Sequence, residues 1–201
     1  FMVAFALGLL IPVVIIFMRE NMNTRVRGRK DLESVTVPFI GEIPQFTRKK
    51  KGIFGKKPQG VKTVVVKEDS RDIINEAFRV LRTNLEFMTG KDKASNVIIV
   101  TSFNPGSGKS FLTMNIAVSF AIKGKKVLVI DGDLRHGSAS SYIDSPTKGL
   151  SDYLGGRIDN LNEIIVTNPK QKYLDILPVG TIPPNPTELL FDDRLKQVID
   201  T

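Results

Sequence analysis

The sequence has 201 residues, 41% of them hydrophobic, no cysteine and a formal net charge of +8. That length holds one ordinary domain plus a smaller element, and the lack of cysteine excludes a disulfide framework or a thiolate metal site. The charge is uneven: residues 19–62 carry 12 Lys/Arg against 4 Asp/Glu, whereas residues 63–201 carry 17 of each. The folded part is therefore neutral, which argues against a nucleic-acid partner.

Residues 1–18, FMVAFALGLLIPVVIIFM, carry no charge, and 18 apolar residues are about the least that crosses a bilayer. Gly8 and Pro12 are tolerated in membrane helices. A signal peptide would need a basic segment before the run and a small-residue cleavage site after it, and neither is visible. Arg19, Arg25, Arg27, Arg29 and Lys30 follow, and positive charge beside a span marks its cytoplasmic side. A transmembrane helix over 1–18 is expected, with the rest of the chain in the cytoplasm. Because the run starts abruptly at Phe1, the chain reads as an excerpt of a longer protein.

Residues 19–62 lack any sustained period and read as a basic juxtamembrane linker. Its cluster RKKKGIFGKKP, Arg48 to Pro58, embeds Ile53 and Phe54. Next to a membrane such a cluster sits against anionic lipid head groups, at about 1 kcal/mol per basic residue. A solvated linker with no preferred partner is the plainer alternative.

From residue 63 the pattern is that of a folded domain. VKTVVV is a short β-rich run. Ser70 is a suitable N-cap for a helix to about Met88, whose apolar stripe is Ile73, Ile74, Ala77, Phe78, Leu81, Leu85 and Met88. NVIIVTS, Asn96 to Ser102, reads as a buried strand, and Lys109 to Lys123 as a helix stopped by Gly124. KVLVID is a second buried strand. A helical stretch from Leu150 to Val166 precedes the strand YLDILPV, and Thr187 to Ile199 is again helical. Apolar strands alternating with helices predict an α/β fold with a mostly parallel sheet covered on both faces.

Between the first strand and its helix lies FNPGSGKS, Phe103 to Ser110. Small residues let successive backbone N–H groups turn around phosphate, and a helix N-terminus adds partial positive charge. Pro105, Gly106, Ser107, Gly108, Lys109, Ser110 and Phe111 are the expected nucleotide-binding residues. Lys109 reaches the outer phosphates and Ser110 supplies a hydroxyl for Mg²⁺. Phe103 replaces the usual first glycine. A dinucleotide fingerprint is rejected, because Phe111 stands where its third glycine belongs and Lys109-Ser110 has no role in it.

The next strand runs into VLVIDGDLRHG, with Asp131 only 22 residues after Lys109 and Asp133 beside it. On residue type alone these acids are either a magnesium-side pair or a polar cap on a strand end. His136 is solitary and reads as a loop residue. Glu76, Arg79 and Arg82 lie at spacing three on the polar flank of their helix, where intrahelical pairing is the simplest reading.

These segments together resemble the bacterial tyrosine kinases, which share their fold with the MinD/ParA-type P-loop ATPases. VLVIDGDLR is similar to their hydrophobic-run D-x-D-x-R motif, and SFNPGSGKS to their S-x-x-P-G-x-G-K-[ST] loop, where a non-glycine at 103 is normal. GLSDYLGG (149–156) and PPNPTELL (183–190) resemble their linking segments, and EAFRVLR (76–82) their E-x-x-R-x-x-R motif. The apolar span resembles the last membrane helix of a polysaccharide co-polymerase module. The resemblance implies an ATP- and Mg²⁺-dependent tyrosine autokinase in the bacterial inner membrane, regulating polysaccharide export. It assigns catalysis to Lys109, Asp131 and Asp133, metal binding to Ser110 and Asp133, and the orienting or deprotonation of tyrosine to Asp131. Arg135 is implied to stabilise charge or a neighbouring subunit, and Glu76, Arg79 and Arg82 to assemble a homo-oligomeric ring. The substrate implied is the neighbours' tyrosine-rich tail. That tail and a distal Walker B acid are expected beyond residue 201, since Asp200 falls on a helical pattern and Tyr142, Tyr153 and Tyr173 read as structural. The rival is a MinD/ParA-type switch, but those usually carry an early P-loop lysine and Phe103-Asn104-Pro105 has none. A co-polymerase with a dead nucleotide domain is disfavoured by the intact Lys109, Asp131 and Asp133.

Overall fold

A computed structural model describes residues 2–22, 28, 32, 35–45, 63–90 and 96–200, and the chain divides into two units, 1–39 and 40–201. The first unit contains helix α1 (Met2–Asn21), with Pro12 inside it. Its apolar side chains from Leu10 to Met18 are exposed. Among the described residues no helix is long and apolar enough to cross a membrane. The span expected over 1–18 includes the side chains of residues 1–7 and 9, which lie outside the described set, as do Arg25, Arg27, Arg29, Lys30 and the cluster at 48–58.

The second unit begins its regular structure with α2 (Ile73–Thr89). Phe78, Leu81 and Leu85 recur at helical spacing and are buried. The predicted stripe was too long at both ends, since Ile73 and Met88 are exposed. The N-cap is Asp72, not Ser70: Asp72 Oδ1 accepts from the Asn75 backbone N–H at 2.8 Å. Ser70 instead donates its hydroxyl to Asp72 Oδ2 at 2.8 Å. A carboxylate two residues nearer the helix satisfies the orphan N–H directly, so the serine becomes its support.

Helix α3 (Lys109–Ile122) is apolar on nearly all sides and buries 114–119 and Ala121. After it a short turn through Gly124 (φ +79°) reverses the chain into β1 (Val127–Ile130). Chain 131–200 then adds α4 (Leu150–Leu154), β2 (Val166–Thr167), β3 (Leu174–Leu177), α5 (Pro186–Leu189) and α6 (Asp193–Asp200). The sheet order is β1-β3-β2. β1 and β3 are parallel, from Val127 opposite Leu174 to Ile130 opposite Leu177, and β2 is antiparallel to β3.

Strand alternation divides the core in two. Val129, Leu174 and Ile176 join α2 and α3 in one apolar cluster with Val65 and Val66. Ile130 and Leu177 belong to a second cluster with Leu150, Leu154 and Val198 of α4 and α6. Helices thus cover both faces, as the sequence pattern predicts.

Three predicted elements differ. Residues 96–102 form no ladder, and Val97, Ile98 and Ile99 are 63, 43 and 84% exposed. Apolar composition favours a strand, but a strand needs a neighbour for its N–H and C=O groups, and among the described residues none pairs with it. The helix expected over 150–166 stops at Leu154, where Gly155 and Gly156 (φ +69°) break it. Val166 lies instead in β2. The helix expected over 187–199 is two pieces, interrupted at residues 190–192.

The β-rich run at 63–67 is extended but unpaired, and two asparagines hold it. The fully buried Asn115 accepts the Val65 and Val66 N–H groups on Oδ1 at 2.7 and 3.1 Å, and donates to Phe111 O at 2.8 Å. Asn75 Oδ1 accepts from Lys67 N–H at 2.8 Å. Polar residues inside helices thus replace a missing sheet ladder. Asn115→Ala strands two backbone donors, and unfolding in urea should show a loss of about 2–3 kcal/mol; a loss under about 0.5 kcal/mol would mean that the clamp contributes nothing.

Candidate active site

The reversal between α3 and β1 brings the N-terminus of α3 and the C-terminal end of β1 to the same side of the unit. The loop entering α3 turns through Gly106 (φ +76°) and Gly108 (φ +94°), positions where a Cβ would be strained. Gly108 is the N-cap of α3 and no side chain caps it, so first-turn amides are offered to a ligand. Ser107 donates its hydroxyl to Asn104 O, pinning the loop on itself. Lys109 is half-buried and donates from Nζ to Ser102 Oγ at 3.1 Å. Pro105 and Phe103 are exposed; Ser110 and Phe111 are half-buried in the first turn of α3. Converging amides, a helix N-terminus, a lysine and a hydroxyl form a donor set suited to a nucleotide's phosphates and their magnesium ion.

At the end of β1 the ladder continues one step, with Asp131 N–H donating to Leu177 O at 3.0 Å. The Asp131 side chain is buried, and its Oδ2 accepts from both the N–H and the hydroxyl of Ser140 at 2.6 Å. Its Oδ1 accepts one longer bond, from Asp133 N–H at 3.2 Å. A carboxylate oxygen can take two such bonds, so Oδ1 keeps capacity for a further donor. Asp133 is half-exposed. It accepts from Ser138 Oγ at 2.9 Å on Oδ2, and its Oδ1 lies 3.3 Å from His136 Nδ1 and accepts the His136 N–H. Burial pushes the Asp133 carboxyl up, but the bonds from Ser138 and His136 and the histidine's charge outweigh it and hold the group below its ordinary value. Leu134, buried beneath the turn, anchors this geometry, while Arg135 is exposed.

Behind the acids, residues 149–152 are sewn to 178–181. Leu150 N–H donates to Pro178 O at 2.8 Å and Ser151 N–H to Val179 O at 2.9 Å. A Cβ on Gly149 would come within 2.3 Å of Pro178 O, so the approach requires glycine. Asp152 accepts from Gly149 and Thr181 N–H and pairs with Arg157 at 2.8 Å. Burial pushes its carboxyl up, and those bonds overcome it and hold it low.

The predicted assembly residues are separate from this cluster of bonds. Glu76 and Arg79 pair along α2 at 2.7 Å, the simple intrahelical reading. Arg82 reaches α3, donating to Ser119 O at 2.7 Å, and its Nε is buried without a partner. Tyr153 is buried with Arg194 over its ring, which fits a structural role. Sequence reasoning missed Ser138 and Ser140 and left His136 without a partner, and Ser102 entered only as the leading serine of the loop motif. The one available signal was the run SASS (138–141) directly after the acidic motif.

The family of the CobQ/CobB/MinD/ParA nucleotide binding domain matches residues 98–183. Tyrosine-protein kinase Etk of Escherichia coli K12 is 34% identical over 208 residues, covering 98% of this chain and 28% of that protein. The solved kinase domain of Escherichia coli Etk aligns with a TM-score of 0.70 at 31% identity, covering 88% of this chain and 68% of that domain. The chain belongs to the bacterial tyrosine kinases. Tyrosine-protein kinase YwqD of Bacillus subtilis is 36% identical over 138 residues, covering 68% of this chain and 57% of that protein. This bacterial tyrosine kinase chain spans about a quarter of the length of the Etk-type relatives that it matches.

The Asp133 environment makes a pH prediction. A folded value below the unfolded one gives stability that is present above about pH 4 and lost as pH falls through the folded value. Ser138→Ala removes one stabilising donor, so carboxyl NMR titration should show Asp133 ionising at higher pH than in wild type. An unmoved midpoint would mean that the serine does not hold the charge.

Proposed function

We propose that this chain is the nucleotide-binding part of an ATP-dependent protein tyrosine autokinase that regulates assembly and export of an extracellular or capsular polysaccharide. One observation carries the reading: the uncapped, glycine-turned N-terminus of α3 with Lys109 lies at the same end as Asp131 and Asp133. Similarity to Etk along nearly the whole chain supports it.

Phosphoryl transfer needs positioning and charge neutralisation more than covalent help. The amides of Gly106 to Lys109 would cradle the phosphates of ATP, flanked by Pro105 and Phe111. Lys109 would exchange its Ser102 contact for the β- and γ-phosphates. Ser110 and Asp133 would hold Mg²⁺, which when bound neutralises phosphate charge. Asp131, through Oδ1, would orient the tyrosine hydroxyl and take its proton. The new bond joins tyrosine oxygen to the γ-phosphorus as the β–γ bridging bond breaks and ADP leaves.

The tyrosines would belong to a tail beyond residue 201 of a neighbouring copy, in a ring to which Glu76, Arg79 and Arg82 contribute. The exposed apolar side chains of α1 support anchoring in the bacterial inner membrane, with the basic linker on anionic lipid and the kinase domain in the cytoplasm. The polysaccharide export machinery would be the partner regulated.

Full-length protein with ATP and Mg²⁺ should become phosphotyrosine-positive, and Lys109→Met should lower labelling by at least about 100-fold. ATP hydrolysis by wild type without any labelled tyrosine would instead establish a MinD/ParA-type switch. For the ring, Arg79→Ala combined with Arg82→Ala should reduce the mass seen by light scattering. The melting temperature is followed alongside, because Arg82 also bonds Ser119; a folded variant of unchanged mass removes these arginines from the interface.

A further inference from the structure

We infer that Ser140 is a positioning residue for phosphoryl transfer, fixing the Asp131 carboxylate through its hydroxyl. This rests on the reading of Asp131 as the carboxylate that faces the tyrosine.

The direction of the hydroxyl follows from its partners. Val179 N–H donates to Ser140 Oγ at 2.8 Å, so one lone pair of the oxygen is taken. The single hydroxyl hydrogen is then directed to Asp131 Oδ2, 2.6 Å away, and the Ser140 N–H meets the same oxygen at 2.6 Å. All three residues are buried, Ser140 at 3%, Asp131 at 3% and Val179 at 1% exposure. Two donors on one oxygen fix the rotation of the carboxylate and leave Oδ1 as the oxygen with capacity for a hydroxyl. The chain from Val179 N–H through Ser140 to Asp131 joins the loop after β3 to the end of β1, 39 and 9 residues away from Ser140.

The backbone around Ser140 has a second mark of constraint. Ser140 opens a 3₁₀ turn, Ser140–Ile143, that closes on Asp144 (φ +59°) and Ser145 (φ +48°). Two successive left-handed non-glycine residues are unfavourable, and such geometry persists where the surroundings over-determine it. Ser145 N–H returns to Ser140 O at 3.0 Å and closes that turn. A serine needed only to satisfy one buried amide would not require its hydrogen to meet a carboxylate already held by its own N–H.

The test measures tyrosine phosphorylation by full-length protein with ATP. Ser140→Ala should lower kcat by about 10- to 100-fold, the range found when the outer hydrogen-bond partner of a functional ligand is removed. The KM for ATP should stay within about twofold, since the phosphate-binding loop is untouched. In an Asp131→Asn background the same change should add no further loss, because Ser140 acts through that carboxylate. Ser140→Cys, close in size with a weak donor, should fall between alanine and wild type and serves if the alanine variant does not fold. Wild-type kcat in either folded variant overturns the role. A parallel fall of kcat, ATP affinity and folded fraction also overturns it, as the mark of a merely structural serine. Asp131→Asn with wild-type kcat would overturn the underlying reading of Asp131 itself.

Discussion

The parallel pairing of β1 with β3 is the constraint on which the rest of this unit depends. Its last bond joins Asp131 N–H to Leu177 O, so the backbone of the first acid is fixed by the sheet before its side chain is considered. Because a strand's side chains alternate, the same pairing sends Val129 and Ile176 into one core and Ile130 and Leu177 into the other. A slip of one residue would exchange those faces and turn the acid away from α3. Register, core and site orientation are therefore one choice.

Helix α3 is the second half of that choice. It is buried from Met114 through Ser119 and again at Ala121. No side chain caps its N-terminus, and there the backbone dipoles favour an anion. Asn115 is, with Ser119, a buried polar residue inside the helix, and its amide oxygen accepts the Val65 and Val66 N–H groups that a neighbouring strand would otherwise accept. The helix thus presents uncapped amides at one end and substitutes for a ladder in its middle.

What was legible in the sequence is what depends on local chemistry. The glycines and lysine of the loop, the apolar runs of β1 and β3 and the acids at 131 and 133 all sit where spacing placed them. The end of α3 at Gly124 was readable for the same reason. The failures are non-local. Val97 to Ile99 have strand composition, yet pairing depends on a neighbour that composition cannot supply. The helix over 150–166 is the exception: it stops at Gly155 and Gly156, a local break, and Val166 beyond them lies in β2. The bonding of Ser140 was not legible, because one of its partners is Val179, 39 residues further on. The pairing of Glu76 with Arg79 was legible from helical spacing; the reach of Arg82 to α3 was not.

The two acids show how one short motif yields two chemical environments. Asp131 is inside, its backbone in the ladder and one oxygen saturated by Ser140. Asp133 lies two residues on, past the strand end, where its carboxylate is 38% exposed and held in its charged form by a hydroxyl and an imidazole. A group meant to meet a hydrated cation gains from exposure and from remaining charged. A group meant to meet one proton of one hydroxyl gains from a fixed orientation and from water being kept out. Past the strand end Asp133 finds its partners in the turn that follows, Ser138 and His136, whereas Asp131 is held by Ser140. The two acids, which sequence alone leaves interchangeable, thus differ in burial and in hydrogen-bond partners.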